Sequence, residues 1–514
     1  MMDTLQAVSP ELLLIACASV MYVAGAFVNW PVRRWCALSL AALALAGITL
    51  VMCAWHPRLG ESAAVSNDPL ARFGAALALL TGAALFLLST RLPEPETAAE
   101  YCASLLLVVV GGMLVAKAQE LVVLFLGLEF ISIPTYVLLY LARQDAHGQE
   151  AAWKYFFLSI FSSALFLYGL SLLYGAVGST HFSAIRDSAS AIDGTATVLV
   201  ALTLIVAGLA FKLAAVPLQF YAPDVYQGTA TMTAAVLAWA PKAAGMFALL
   251  RLVVFTLSSF GTNVAVSSFG TNAAALFWIL AAATMTVGNI MGLLQNNLRR
   301  LLAYSGIAHA GYMLVGVGAA CVGGERFLTG NAVESVGFYL IAYAAMTLGA
   351  FAVIAYLDSR SRPVETVDDL AGLARTQPVI AAAMATVMIG LTGIPLTAGF
   401  WGKLALFASA VTCDAPSYLW LAVIGVINAA ISAYYYLRIV GAMYMRDGAR
   451  PVQPTGSRGA WTVAVLGAVL TILVGVLPGP FLKSVHGLKP GSQATAPPAT
   501  AAAPTGSLHD QIRP

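Results

Sequence analysis

Long apolar runs, separated by short polar or basic connections, fill most of this 514-residue chain. In windows of about 19 residues, stretches of 18 or more with at most one charge recur along the chain, long enough to cross a hydrocarbon core. The pattern predicts an all-α polytopic membrane protein of about fourteen transmembrane helices, roughly over 12–30, 36–55, 70–90, 101–117, 120–141, 152–176, 196–220, 229–256, 272–296, 299–321, 334–357, 378–412, 417–445 and 459–481. Two of them are interrupted by proline in similar wording, KLAAVPLQFYAPD from Lys212 to Asp224 and GLTGIPLTAGFWGK from Gly390 to Lys403. Proline removes a helix hydrogen bond, and irregular backbone at membrane depth persists only where it lines a polar cavity. Paired broken helices predict two inverted-topology repeats, over 101–256 and 272–445, after three helices in 1–100 and before a last helix at 459–481. A second echo supports the duplication, KAAGMFALLRLV from Lys242 and NAAISAYYYLRIV from Asn428. Residues 484–514 turn rich in Ala, Pro, Thr and Gly, a composition that predicts a disordered tail.

Composition strengthens the membrane reading: 60% of residues are apolar and only 10% charged, more apolar surface than a soluble domain can hide. The first apolar stretch follows Asp3 and Glu11 with no basic residue, so it reads as a retained helix rather than a secretory signal. Arginines cluster in every second loop, at Arg33 and Arg34, Arg91, Arg143, Arg299 and Arg300, Arg360 with Arg362 and Arg375, and Arg446 with Arg450 and Arg458. The positive-inside rule makes these loops cytoplasmic and puts both termini on the outer, periplasmic side. Six cysteines stand singly with no C-x-x-C pair, and neither a Gly-rich dinucleotide fingerprint nor a Walker A sequence occurs. No redox cofactor or metal site is therefore expected in this chain. A dispersed net charge of +3 argues against nucleic acid as a partner and leaves the lipid bilayer.

Of only seven lysines, Lys154, Lys212, Lys242 and Lys403 fall within or at the start of hydrophobic segments. A charge well inside a membrane helix costs roughly 2.5 to 3.5 kcal/mol on insertion scales unless it is paired or hydrated. Glu129 lies within LVVLFLGLEFISIPTYVLLYL and His309 within LLAYSGIAHAGYMLVG, the carboxylate and imidazole of the same constellation. Desolvation can bring a lysine's pKa from about 10.4 toward neutrality, so that it takes and releases a proton, while a nearby carboxylate pushes the other way. Making and breaking a Glu129–Lys212 pair would then switch proton holding to proton passing. His309 suits a relay between two lysines, and backbone groups freed near Pro217 and Pro395 are positioned to bind bridging water.

Each of these residues also has a structural reading. Glu129, Lys212 and Lys242 could serve in ion pairs alone, Lys403 could cap its broken helix or snorkel, Lys154 could anchor at a headgroup or hold a structural partner, and His309 could bond a carbonyl in the packed interior. Asp224 and Glu120 read as loop and boundary charges, Tyr434 to Tyr436 as packing, and Asp3, Lys117 and the tail as surface groups whose replacement leaves activity nearly intact.

The wording resembles the antiporter-like proton-translocating subunits shared by respiratory complex I, its relatives and the multi-subunit cation/proton antiporters. GLEFISIPTYVL at Gly127, KYFFLSIFSSALFLYGLSLLYG at Lys154, FKLAAVPLQFYAPDVYQG at Phe211, PKAAG at Pro241, NNLRRLLAYSGIAHAGYMLVG at Asn296 and GIPLTAGFWGK at Gly393 carry the resemblance. It implies that Glu129, Lys154, Lys212, Lys242, His309 and Lys403 form a proton relay in the membrane arm of a bacterial inner-membrane NADH-quinone oxidoreductase, beside further antiporter-like subunits. NADH, FMN, iron–sulfur clusters and quinone would belong to the complex rather than to this chain. The alternatives are a subunit of a multi-subunit cation/proton antiporter or of a membrane-bound hydrogenase or ferredoxin-quinone oxidoreductase, and a structural scaffold, which the cost of idle buried charges disfavours.

Overall fold

A computed structural model describes residues 2–55, 64–89, 95–143, 145–188, 195–252, 268–322, 331–358, 363–447 and 457–488. The first membrane segments are α1 (Ser9–Gly25), α2 (Val32–Trp55), α3 (Pro69–Leu88), α4 (Ala98–Lys117), α5 (Leu121–Ala142) and α6 (Ala146–Val177). Then come α7 (Ala196–Leu213), the short α8 (Tyr221–Gly228), α9 (Thr231–Leu252), α10 (Ser268–Leu293), α11 (Leu298–Val322) and α12 (Ala332–Leu357). The chain continues through α13 (Pro378–Thr392), α14 (Ala398–Val411), α15 (Ser417–Met445), α16 (Arg458–Val476) and the short α17 (Pro478–Val485). Among the described residues twelve helices are long and apolar enough to cross a membrane; α1, α13 and α14 are shorter apolar helices, and no β-strand forms. Every one of the fourteen expected segments is present, with α13 and α14 together making the twelfth.

Local chemistry sets several of the ends. Asp68 caps α3 by accepting from Ala71 N at 2.7 Å with Pro69 next in line, and Asp145 caps α6 by accepting from Gly148 N at 2.9 Å. Because Asp145 starts α6 six residues earlier than the apolar run suggests, Lys154 sits in its third turn rather than opening it.

Both predicted breaks are real, and they differ from the expected helix limits. Expected to reach 220, α7 instead stops at Leu213, because Ala214 adopts the left-handed conformation at φ 53° ahead of Pro217. In the segment expected over 378–412, Gly393 at φ 90° and Leu396 at φ 70° flank Pro395 between α13 and α14. A left-handed turn costs a residue with a β-carbon roughly 1 to 2 kcal/mol, so Ala214 and Leu396 are held there by their surroundings.

Two buried ion pairs fasten the first three helices to the rest. Arg251 near the end of α9 reaches Asp68 through two nitrogens at 2.6 and 2.8 Å and donates from Nε to Ala116 O at 2.8 Å. Lys117 at the end of α4 pairs with Glu11 of α1 at 2.7 Å, the two side chains 3% and 1% exposed. Lys117 is therefore not the surface group its place at a helix end suggested. The chain also stays ordered past 484: Val485 and Leu488 are buried, and Gly487 N donates to Glu334 Oε1 at 2.9 Å. The expected tail from residue 489 onward lies outside the described residues.

Candidate functional site

The buried lysines lie along a polar seam in the otherwise apolar interior. Lys212, in the last turn of α7, directs Nζ to Ser132 Oγ of α5 at 2.5 Å and to Ser159 Oγ of α6 at 3.2 Å. Ser163, one turn beyond Ser159, donates to Glu129 Oε1 at 2.6 Å. Glu129 and Ser132 share a face of α5 at spacing three, and Ser159 and Ser163 share a face of α6 at spacing four. Glu129 and Lys212 are unpaired in this structure, with no contact within 4.0 Å, and each instead meets a serine of α6. Serines fit here because a short hydroxyl both donates and accepts without filling the space between close helices.

Lys242 of α9 is buried and meets the Tyr226 hydroxyl of α8 at 3.4 Å, with Nζ 5.6 Å from the centre of that ring. Its ammonium end lies against the backbone of α11 at Gly306, where a β-carbon would stand 2.2 Å from Nζ and 3.0 Å from the Tyr343 hydroxyl. One turn along α11, His309 has its ring centre 5.3 Å from that of Tyr343. His309 Nδ1 lies 2.5 Å from the Tyr339 hydroxyl and Nε2 lies 3.0 Å from the Tyr436 hydroxyl, which also meets Ser305. Neutral imidazole donates through one nitrogen and accepts through the other, whereas imidazolium donates through both, so a change of charge at His309 must reorient a tyrosine hydroxyl.

Lys403 of α14 completes the row. Its Nζ donates to Leu391 O at 2.9 Å and Thr392 O at 2.8 Å, the carbonyls left open where α13 ends, and lies 4.9 Å from the centre of the Tyr312 ring. A cation at a helix C-terminus is favoured by the partial negative charge there. The capping contact considered for Lys403 is thus present, inside the interior rather than at its edge. Tyr312 in turn accepts from Asn289 Nδ2 at 3.1 Å, and its ring centre is 5.7 Å from that of His309.

Lys154 stands apart from this row. Its side chain is 40% exposed and pairs with Glu150 at 2.7 Å and Asp224 at 3.1 Å; Asp224 also pairs with Arg300 at 2.6 Å. Partial burial pushes the Asp224 carboxyl up, but hydrogen bonds from Arg300 and Lys154 outweigh it and hold the group below the ordinary carboxylate range. Lys154, Glu150 and Asp224 line a cleft of about 300 Å³ with Arg143, His147 and Glu365. Asp224 is thus a bridging charge between α6 and α11, not a loop charge.

The hydroxyl groups are what the sequence reading missed. Ser132, Ser159, Ser163, Tyr226, Tyr339 and Tyr436 contact the titratable residues, whereas Tyr435 is buried and donates to Asn289 Oδ1 at 2.9 Å. Their available signal was position: three residues after Glu129 and one turn apart in KYFFLSIFSSAL.

Residues 118–432 match the family described as NADH:quinone oxidoreductase/Mrp antiporter, transmembrane. NADH-quinone oxidoreductase subunit N of Trichlorobacter lovleyi is 38% identical over 452 residues, 86% of this chain and 88% of that protein. A chain of respiratory complex I from Thermus thermophilus superposes with TM-score 0.75 at 30% identity, covering 93% of this chain and 99% of its own. A chain of the Mrp complex from Dietzia superposes with TM-score 0.77 at 19% identity over 94% and 96%, a likeness of fold alone. The chain belongs to the NADH:quinone oxidoreductase/Mrp antiporter transmembrane family, with the subunit N proteins of NADH-quinone oxidoreductase.

Proposed function

We propose that this chain is the proton-translocating subunit N of a NADH-quinone oxidoreductase, seated in the membrane arm beside other antiporter-like subunits in the bacterial inner membrane. Electron transfer from NADH to quinone takes place in partner subunits. This chain's part is to move protons through Glu129, Lys212, Lys242, His309 and Lys403, with Lys154 at the rim. Residues 101–256 and 272–445 act as inverted copies, each with its break beside a lysine, and both termini face the periplasm, in keeping with the arginine-rich alternate loops.

The observation that carries this reading is the row of buried cations held by neutral acceptors: Lys212 by two serines, Lys242 by a tyrosine, Lys403 by two carbonyls. Each acceptor tolerates the ammonium without fixing it as a carboxylate would, so the proton can leave. Lys212 and Glu129 each bond a serine on the same face of α6, Ser159 and Ser163, so a proton arriving at Glu129 changes the field at Lys212 without breaking a direct contact between them. Lys242, His309 and Lys403 continue the path through Tyr343, Tyr339 and Tyr312. A secondary cation/proton antiporter shares the fold, but the subunit N relative at 38% identity supports the redox-driven complex over the Mrp likeness at 19%.

The test is Lys212→Arg in membranes where assembly of the complex is confirmed, reading quinone reduction and pH-gradient formation together. Guanidinium keeps its proton, so both are expected to fall by at least about tenfold. Pumping at the parental rate would return Lys212 to a structural role.

A further inference from the structure

Helix α8 follows the first break and touches the surroundings of both Lys212 and Lys242. At its start the Tyr221 hydroxyl donates at 2.9 Å to Phe211 O, a carbonyl of the α7 end next to Lys212 that also accepts from Ala214 N. Five residues on, the Tyr226 hydroxyl accepts from Lys242 Nζ at 3.4 Å. Both tyrosines are buried, while Asp224 between them lies at the cleft and takes Lys154 of α6 and Arg300 of α11. Arg300 adds a bond to Gln227 Oε1 at 3.0 Å.

An eight-residue helix cannot fix its own place, because most of its backbone groups lie in its end turns and helix nucleation is costly. Tertiary contacts must do so. Aromatic packing supplies one set, with ring centres of Tyr221 and Phe211 4.4 Å apart and those of Tyr221 and Tyr155 5.8 Å apart. That packing sits at the Lys212 end, while at the Lys242 end the Tyr226 ring centre lies 6.2 Å from that of Phe351 in α12. At the Lys242 end the 3.4 Å contact is near the limit of a hydrogen bond, so a shift of a few tenths of an ångström breaks it.

Given the relay proposed above, we propose that α8 is a strut linking its Lys212 and Lys242 sites, and that Asp224 is a positioning residue which, tethered by Lys154 and Arg300, holds the Tyr226 hydroxyl on Lys242. Asp224 exchanges no proton in this role. Its carboxylate matters as a two-cation anchor, and its effect is exerted through Tyr226.

The test is a double-substitution cycle in the intact complex, reading pH-gradient formation per quinone reduced. Asp224→Asn and Tyr226→Phe are each expected to lower it on the order of threefold to tenfold, and together by no more than the larger single loss, because both remove the same contact. Asp224→Glu, which keeps both tethers, restores most of the parental value. Multiplying losses would show that Asp224 acts independently of Tyr226 and overturn the strut, as would parental pumping in either single variant. Should Asp224→Asn prevent assembly, Arg300→Gln, which removes one tether, takes its place in the cycle with the same expectations. Lys242→Ala is measured alongside. Parental pumping in that variant removes the relay itself, whereas lost pumping there with independent Asp224 and Tyr226 effects removes only the strut.

Discussion

Gly306 leaves the space that the Lys242 ammonium occupies: a β-carbon at Gly306 would stand 2.2 Å from Lys242 Nζ. The neighbour that must yield is the free end of a flexible side chain, so Gly306→Ala is expected to fold and assemble. Its cost falls on the site, by driving Nζ away from α11 and from the Tyr343 hydroxyl, itself 3.0 Å from the same point. Misplacing a reacting group by about 1 Å costs up to about a hundredfold in rate, so a loss of pumping on the order of tenfold is expected at normal complex abundance. Parental pumping by assembled Gly306→Ala would show that Lys242 needs no such seat.

The contrast between Lys242 and Gly306 also shows what the sequence made legible. A lysine inside an apolar run announces itself, because its charge is costly there whatever surrounds it. A glycine in α11 does not, since its reason is a lysine sixty-four positions earlier in the chain. The breaks at Pro217 and Pro395 were readable because proline acts locally, but their exact limits were not, since Ala214 and Leu396 turn left-handed only under tertiary constraint. Glu11, Asp68 and Glu334 stand at or near helix starts and are buried nonetheless, because each finds a partner from a distant segment: Lys117, Arg251 and Gly487.

Lys117 and Glu11 join α4 to α1 at 2.7 Å with almost no exposure. Removing one member of a buried pair strands the other, at about 3 to 5 kcal/mol, whereas replacing both with apolar groups is often tolerated. Lys117→Met alone should therefore reduce the amount of assembled complex, and Lys117→Met with Glu11→Leu should recover most of it. Complex abundance on native gels is the readout; equal abundance in the single and double variants would mean that the pair contributes little.

The sign of the Asp224 shift fixes its pH behaviour. A carboxyl held below its unfolded value of about 3.9 contributes stability that is complete above that pH and is lost only as pH falls through the depressed folded value. Its tethers to Lys154 and Arg300 thus persist throughout the range from about pH 5 to 8. The ratio of pumping in Asp224→Asn to that in the parent should stay constant across this range. A ratio rising toward one near pH 6 would mean that Asp224 protonates there.

The end of the described chain provides the last prediction. Val485, the last residue of α17, and Leu488 beyond it insert against α12, where a β-carbon on Gly337 would meet Leu488 Cδ1 at 2.7 Å, and Gly487 N donates to the buried Glu334. Glu334 stands in the first turn of α12. Removing its backbone donor leaves a buried carboxylate short of a partner, which costs about 1 to 3 kcal/mol, and exposes the apolar pocket of Leu488 as well. Truncation after Leu488 keeps all of these contacts and is expected to leave pumping near the parental level. Truncation after Leu477 removes them and is expected to lower the thermal stability of the purified complex and the amount recovered. Should the shorter truncation be as stable as the longer one, the packing of α17 on α12 is not a fastening of the fold; should the longer one already fail, residues beyond Leu488 make a contact that matters.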